Sequence, residues 1–325
     1  MDLLKVLKEK IKEEKPIIVF PEGEDKRIMT AVKNLQDDDL LRPIILGKRE
    51  EVQKTADELG YNLDDFNFIE PASYEGLPEL KAALLERRKG KLDDQGADRL
   101  IIDPNYFGTM LVYTNKADGM VSGAIHTTAE TVRPALQIIK TKSGYRRTSG
   151  AFLMLRGEEV YLMADCAINI ELDSQGLAEV AVLSNEMARE FGIDPKIALL
   201  SFSSKGSASH ELVDKVADAV TIAKRLDPTM VVDGELQFDA AFVEEVAKIK
   251  APGSPVAGKA NVFIFPSIDA GNIGYKLAQR FGGFRAIGPI LQGLNAPVND
   301  LSRGCTADEA YYLGLITAAQ TIKEK

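Results

Sequence analysis

A chain of 325 residues, 45% hydrophobic and 27% charged, is long enough for two α/β cores and too apolar to be disordered. Its formal net charge of -9 argues against a nucleic-acid binder, which needs a basic face, although a local arginine cluster can still hold a small anion. Two distant cysteines, Cys166 and Cys305, with no Cys-x-x-Cys spacing, argue against a disulfide framework or a structural zinc site.

The start of the chain, Met1 to Lys8, carries a charge every few residues and reads as a short amphipathic helix, not a signal peptide. No apolar run reaches the length of a membrane span, so the expectation is a cytoplasmic protein without a membrane partner. Pro16 to Phe20 is a β-rich run closed by Pro21-Glu22-Gly23, and a helix is predicted from about Asp25. A second strand spans Arg42 to Gly47, followed by a helix from Lys48 that Gly60 stops. This alternation implies a parallel sheet covered by helices.

The basic run Arg87-Arg88-Lys89-Gly90-Lys91 lies at a predicted helix end, where cations offset the dipole, or it serves an anion. The segment Ala117 to Thr128 reads as a strand ending in a small-residue loop. Thr127-x-x-Glu130 then forms a capping box that opens a helix carrying Arg133. Small residues let backbone approach a ligand, and N–H groups at a helix start suit an anion. The alternative is an ordinary strand-to-helix turn with a surface arginine.

Lys142-Ser143-Gly144 reads as a linker, and the rhythm changes there. Phe152–Leu155 and Val160–Met163 predict a hairpin turning at residues 156–159. Further strands are predicted at 197–200, 230–232 and 261–265. Residues 253–260 have P-loop spacing, but Ala260 stands where Ser or Thr is required and a strand follows instead of a helix, so the segment reads as a loop. The Gly/Pro-rich stretch from Ile287-Gly288-Pro289 to Asn295-Ala296-Pro297 reads as a second crossing between domains, and the last helix starts at Thr306. The result is two α/β domains, with a cleft between them as the default ligand site. The two histidines, His126 and His210, read as structural, and no nucleophile elbow supports a Ser-His-Asp triad.

The segment Gly293 to Glu309 concentrates the most chemistry. Ser302 and Arg303 stand beside Asp308 and Glu309 at the mouth of the last helix. A guanidinium there can clamp a phosphate with two parallel hydrogen bonds, and a carboxylate can take a thiol proton. Thr306-x-x-Glu309 is also a capping box, which accounts for the acids but not for Ser302-Arg303-Gly304.

Taken in order, Ala117 to His126, Arg133 to Lys140, Ala164 to Ala167, Asp233 to Gln237 and Pro297 to Cys305 resemble the phosphate acetyltransferase family, which includes phosphate butyryltransferases. The resemblance covers essentially the whole chain. It implies two α/β domains like those of isocitrate and isopropylmalate dehydrogenases, with the active site in the cleft and a homodimeric assembly. It places the first domain at residues 1–142 plus 290–325 and the second, expected to dimerise, at 143–289. The implied reaction is acetyl-CoA plus phosphate giving acetyl phosphate plus CoA, by direct transfer in a ternary complex. No metal, permanently bound cofactor or acyl-enzyme is implied; CoA enters as substrate.

By the same resemblance Arg303 binds phosphate and Ser302 stabilises the tetrahedral transition state, while Arg133 and Arg88 bind substrate, with Arg87 the alternative to Arg88. Where the family carries an aspartate as thiol base, seven residues after the serine, this chain has Glu309, preceded by Asp308. Counting favours Glu309; a small shift in the helix start brings Asp308 there instead. Cys166 and Cys305 match family cysteines and read as structural or site-lining. Rival readings are a butyryltransferase, an oxidoreductase on the same scaffold and a non-catalytic acyl-CoA sensor. The oxidoreductase lacks a metal-binding carboxylate cluster and a dinucleotide fingerprint.

Overall fold

The computed structural model describes residues 3–322, so Met1 and Asp2 of the expected first helix lie outside the described residues. Contacts divide the chain into two units. One holds Leu4–Lys142 and the chain from Leu294 onward, and the other holds Ser143–Gly293. The chain returns to its first unit at residue 294.

In the first unit α1 (Leu3–Ile11) buries Leu7 and Ile11 on one stripe. It leads into β1 (Ile17–Phe20), whose last three residues are fully buried. Asp25 caps α2 (Lys26–Asp37) by accepting from the Arg27 and Ile28 amides. β2 (Arg42–Leu46) and α3 (Arg49–Leu59) follow, and Gly60 ends α3 in the left-handed conformation at φ 72°. After β3 (Phe68–Ile69) come α4 (Leu77–Arg87), α5 (Asp94–Ile101) and α6 (Pro104–Tyr113). β4 (Gly119–Ser122) is buried throughout and feeds α7 (Thr128–Pro134), which widens into a π-turn over Ala135–Ile139 after Pro134.

The second unit opens with β5 (Ser149–Arg156) and β6 (Glu159–Ala164), an antiparallel hairpin with Arg156 opposite Glu159. The turn is therefore two residues, Gly157-Glu158, tighter than expected. α8 (Ser174–Glu190), β7 (Ile197–Leu200) and α9 (Glu211–Leu226) follow. β8 runs Val232–Leu236, displaced from the expected 230–232. Polar residues disguised it: buried Asp233 pairs with Lys205 and Ser254, and buried Glu235 accepts from the Ser203 hydroxyl at 3.1 Å and the Gly206 amide at 2.7 Å. α10 (Phe238–Phe242), α11 (Glu244–Lys250), β9 (Val262–Ile264) and α12 (Ile268–Gly282) complete the alternation.

The stretch expected as a crossing is largely β10 (Arg285–Gln292), antiparallel to β5. Proline is tolerated because β10 is the edge strand and its register shifts between Ile287 and Ile290, around Pro289. Back in the first unit, β11 (Val298–Asp300) precedes α13 (Ala307–Thr321), with Thr306 as its cap.

The first unit's sheet has order β11-β4-β1-β2-β3 and is entirely parallel. The second has order β10-β5-β6-β9-β7-β8, antiparallel only at β10-β5-β6. Among the described residues no helix is long and apolar enough to cross a membrane.

Gly271 lets α12 lie against the end of β6. A Cβ there would collide with the Asp165 carbonyl and sit 3.2 Å from the Cys166 Cα. Gly271→Ala should destabilise the second unit by about 1–3 kcal/mol, as overpacking does. Urea unfolding followed by fluorescence reads this, and an unchanged midpoint would contradict the packing.

Candidate functional site

Because β1, β4 and β11 are parallel neighbours, the loops that follow them leave the same edge of the sheet. These loops are Pro21–Asp25, Gly123–Thr127 and Leu301–Thr306. Asp300 lies opposite Ser122, and the Leu301 amide donates to the Ser122 carbonyl at 2.7 Å. The chains come so close that a Cβ on Gly123 would meet the Leu301 amide nitrogen at 2.6 Å; Gly123 also has φ 115°.

Glu22 is fully buried at the centre of this edge. Its carboxylate accepts from the amides of Gly123, Ala124, Ile125 and His126 at 2.8–3.1 Å and contacts His126 Nδ1 at 2.8 Å. The N–H groups expected to receive a ligand anion are thus taken by the protein's own carboxylate. Burial pushes Glu22 up, but the His126 ring and the surrounding amides together hold it below its ordinary value. The Glu22 hydrogen bond raises His126 against the opposing effect of burial. The expected capping box at Thr127 is formed, with the Glu130 carboxylate 2.7 Å from the Thr127 amide.

The loop after β11 is a tight turn: the Cys305 amide donates to the Ser302 carbonyl at 2.8 Å, and the Gly304 amide to Ser302 Oγ at 3.3 Å. Ser302 and Arg303 are exposed. Thr306 and Glu309 form the capping box, with Glu309 Oε2 accepting from the Thr306 amide at 2.9 Å and the Glu309 amide donating to Thr306 Oγ1 at 3.2 Å. Glu309 Oε1 accepts no hydrogen bond among the described residues. Asp308 lies on another side of the helix, in a hollow with Asn34, Asp37, Asp38, Tyr311 and Tyr312. Burial pushes the Cys305 thiol up to about 11; Arg27 opposes this and Glu309 adds to it, so Glu309 is within electrostatic reach of the turn. Cys166 is buried and its thiol is pushed up by the same cause, and both cysteines are free.

The two arginines of the basic run have different surroundings. Arg87 Nε donates to the Ile138 carbonyl at 2.7 Å and Nη2 to the Ile139 carbonyl at 3.4 Å, with its guanidinium 4.9 Å from the Tyr113 ring centroid. It satisfies carbonyls left over at the π-turn, where helical bonding fails. Arg88, the C-cap of α4, makes no side-chain hydrogen bond or ion pair among the described residues, and neither does Arg133 or Arg303. Arg88 and Arg133 both act on Tyr106 of α6: burial raises its hydroxyl, and the two cations oppose that shift. Tyr106 in turn donates to Gln137 at 3.0 Å. Among the described residues no group of three or more His, Cys, Asp or Glu side chains is arranged to hold a metal ion.

Sequence reasoning missed Glu22, Asp25, Arg27, Tyr106 and Asp300. The charged run Glu22 to Arg27 directly after a buried strand was the available signal, but it reads equally well as a helix cap. Asp300 ends β11 fully buried, with Oδ2 accepting from the Thr128 hydroxyl at 2.7 Å and Oδ1 unpartnered among the described residues. Burial pushes it up to about 7, opposed by the Thr128 hydroxyl and supported by repulsion from Glu22.

The Glu22–His126 pair sets a pH dependence of stability. The folded pKa of His126 lies above 6.5, so its contribution is complete below that value and is lost as pH rises through the folded pKa. The folded pKa of Glu22 lies below 4.5, so its contribution is complete above that value and is lost on acidification. The stability gap between the wild type and His126→Asn should therefore be widest between pH 4.5 and 6.5 and narrow as pH rises through the folded value of His126, which lies above 6.5. Urea titrations across that range check it; a gap independent of pH would refute the pairing.

A family model described as Phosphate acetyl/butaryl transferase matches residues 2–318. The Phosphate acetyltransferase of Bacillus subtilis (strain 168) is 57% identical over 321 residues, covering 99% of each chain. Solved phosphotransacetylases from Staphylococcus aureus and Streptococcus pyogenes are 55% and 57% identical, each with a TM-score of 0.93; they cover 99% and 98% of this chain and 98% of their own. A 4-hydroxythreonine-4-phosphate dehydrogenase from Klebsiella pneumoniae, 14% identical with a TM-score of 0.54 over 94% of this chain and 98% of its own, shares the dehydrogenase-like fold alone. With more than half its residues shared from end to end and the family pattern matched along nearly its whole length, the chain belongs to the phosphate acetyl/butaryl transferase family.

Proposed function

We propose that this chain, an acyltransferase by family, transfers acetyl reversibly between coenzyme A and inorganic phosphate, by direct attack in a ternary complex. The observation that carries the reading is the exposed Ser302–Arg303 turn, its guanidinium without an ion-pair partner among the described residues, next to the half-buried Glu309. Arg303 holds the phosphoryl group, and Ser302 donates to the carbonyl oxygen as it becomes an oxyanion. Glu309 takes the CoA thiol proton; the thiolate attacks the acetyl carbonyl, the acyl C–O bond breaks and phosphate leaves. Arg88 and Arg133 bind the anionic part of CoA, while Arg87 is occupied at the π-turn and drops out of the binding set. Of the two acids, Glu309 is the base: its capped position leaves Oε1 free, whereas Asp308 faces Asp37 and Asp38. CoA, acetyl-CoA, phosphate and acetyl phosphate are the ligands, with no permanently bound cofactor. A cytoplasmic setting belongs to the same reading, and two free thiols suit a reducing compartment.

Mixing the protein with CoA and acetyl phosphate, then with CoA and butyryl phosphate, tests this. Thioester should form rapidly with acetyl phosphate and little with butyryl phosphate. CoA binding without turnover of either would favour the sensor and refute catalysis. Glu309→Gln keeps a cap acceptor, so it should remain folded yet lose roughly 10²–10⁴-fold in turnover. Asp308→Asn should stay within a few-fold of the wild type. The reverse pattern would make Asp308 the base.

We also propose a homodimer formed through the second unit. On α12, Ile273, Leu277 and Phe281 are 57%, 48% and 89% exposed at helical spacing, an apolar stripe that solvent does not favour. Leu277→Glu with Phe281→Glu should give a monomer by light scattering. A wild-type monomer, or a charged variant that stays dimeric, would reject this interface.

A further inference from the structure

Arg27 bonds the turn that carries Ser302 and Arg303, and the role inferred for it rests on the reading of those two residues given above. Its guanidinium uses all five of its donors. Nη1 donates to the Arg303 carbonyl at 2.8 Å and the Cys305 carbonyl at 3.0 Å. Nη2 donates to the Ala124 carbonyl at 2.8 Å and to Asp25 Oδ2 at 2.8 Å, and Nε donates to Asp25 Oδ1 at 3.0 Å. Asp25 in turn accepts from the Arg27 and Ile28 amides as the cap of α2, so the clamp is anchored to a helix start. One side chain thus ties the loops after β1, β4 and β11 together. Two of its bonds grip the carbonyls on either side of Gly304, immediately beside the Arg303 side chain.

With every donor already bonded inside the protein, Arg27 has none left for a substrate. An exposed turn whose guanidinium has no ion-pair partner of its own still needs its direction set by something, because holding a reacting group to within about 1 Å is worth about a hundredfold in rate. The only side chain bonded to the carbonyls of that turn, among the described residues, is Arg27. Lysine would keep the charge but lose the planar fork that spans three carbonyls and a carboxylate.

We propose that Arg27, braced by Asp25, is a positioning residue that aims Ser302 and Arg303 at the phosphoryl group without touching substrate itself. Arg27→Lys should lower kcat/KM for acetyl phosphate by about a hundredfold. CoA affinity, measured by calorimetry without acetyl phosphate, should stay within about threefold, and the thermal midpoint should fall by only a few degrees. In a Ser302→Ala, Arg303→Gln background the same Arg27→Lys change should have little further effect, because it acts through those two side chains. An equal loss in both backgrounds would overturn the proposal, as would full activity of Arg27→Lys. If Arg27→Lys fails to fold, Asp25→Asn replaces it: the cap acceptor remains, one arm of the brace is lost, and kcat/KM for acetyl phosphate should fall about tenfold with CoA affinity kept. An unchanged value there overturns the proposal too. Failure of the underlying reading is separate: Arg303→Gln alone would then turn over acetyl phosphate normally.

Discussion

A carboxylate with no access to water must have its charge met inside the protein, and Glu22 meets it with four consecutive backbone amides and one imidazole. Moving any of those donors away would weaken the compensation of a buried charge, so the loop after β4 has little freedom. Its curvature places Gly123 against Leu301 and carries the Ala124 carbonyl to Arg27. The positions of the β11 turn and the start of α7 follow from that closure. The second unit repeats the device: Asp165 accepts from the amides of Gly150, Ala167, Ile168 and Asn169, and Glu235 closes the loop after β7.

Internal carboxylates filling backbone nests change how anions are handled. A site of bare helix starts and loop amides would attract phosphate without side chains. Here the amides after β4 are spent on Glu22, so under the function proposed above anion binding is assigned to guanidinium groups. The arginines divide accordingly. Arg27 and Arg87 are bonded to carbonyls of the fold, while Arg88, Arg133 and Arg303 make no ion pair among the described residues. A chain of net charge -9 therefore keeps three guanidinium groups without an ion pair among the described residues, two of them acting on the same tyrosine, Tyr106. Glu309 is divided as well: Oε2 caps the last helix and fixes the side chain, while Oε1 accepts no hydrogen bond among the described residues.

Local patterns announced most elements. The run Ile17 to Phe20, the Gly60 stop, the Thr127 and Thr306 capping boxes and the hairpin around Gly157 follow from dihedral preferences and from donors within a few residues of each other. β8 and β10 were hidden, the first because buried Asp233 and Glu235 resemble loop residues until their distant partners are known, the second because proline argues against a strand unless it lies at an edge.

The sequence alone determined the α/β alternation, the family and the set of candidate residues, because order, spacing and residue type are properties of the chain itself. It could not show that Arg87, and not Arg88, bonds the Ile138 and Ile139 carbonyls, since neighbours in sequence differ only in which carbonyls the fold brings to them. Nor could it find the Arg27 clamp, whose three carbonyl partners lie 97 to 278 residues away. Those assignments belong to the tertiary structure, because a hydrogen bond acts over about 3 Å and depends on proximity in space, which sheet order creates and sequence distance conceals.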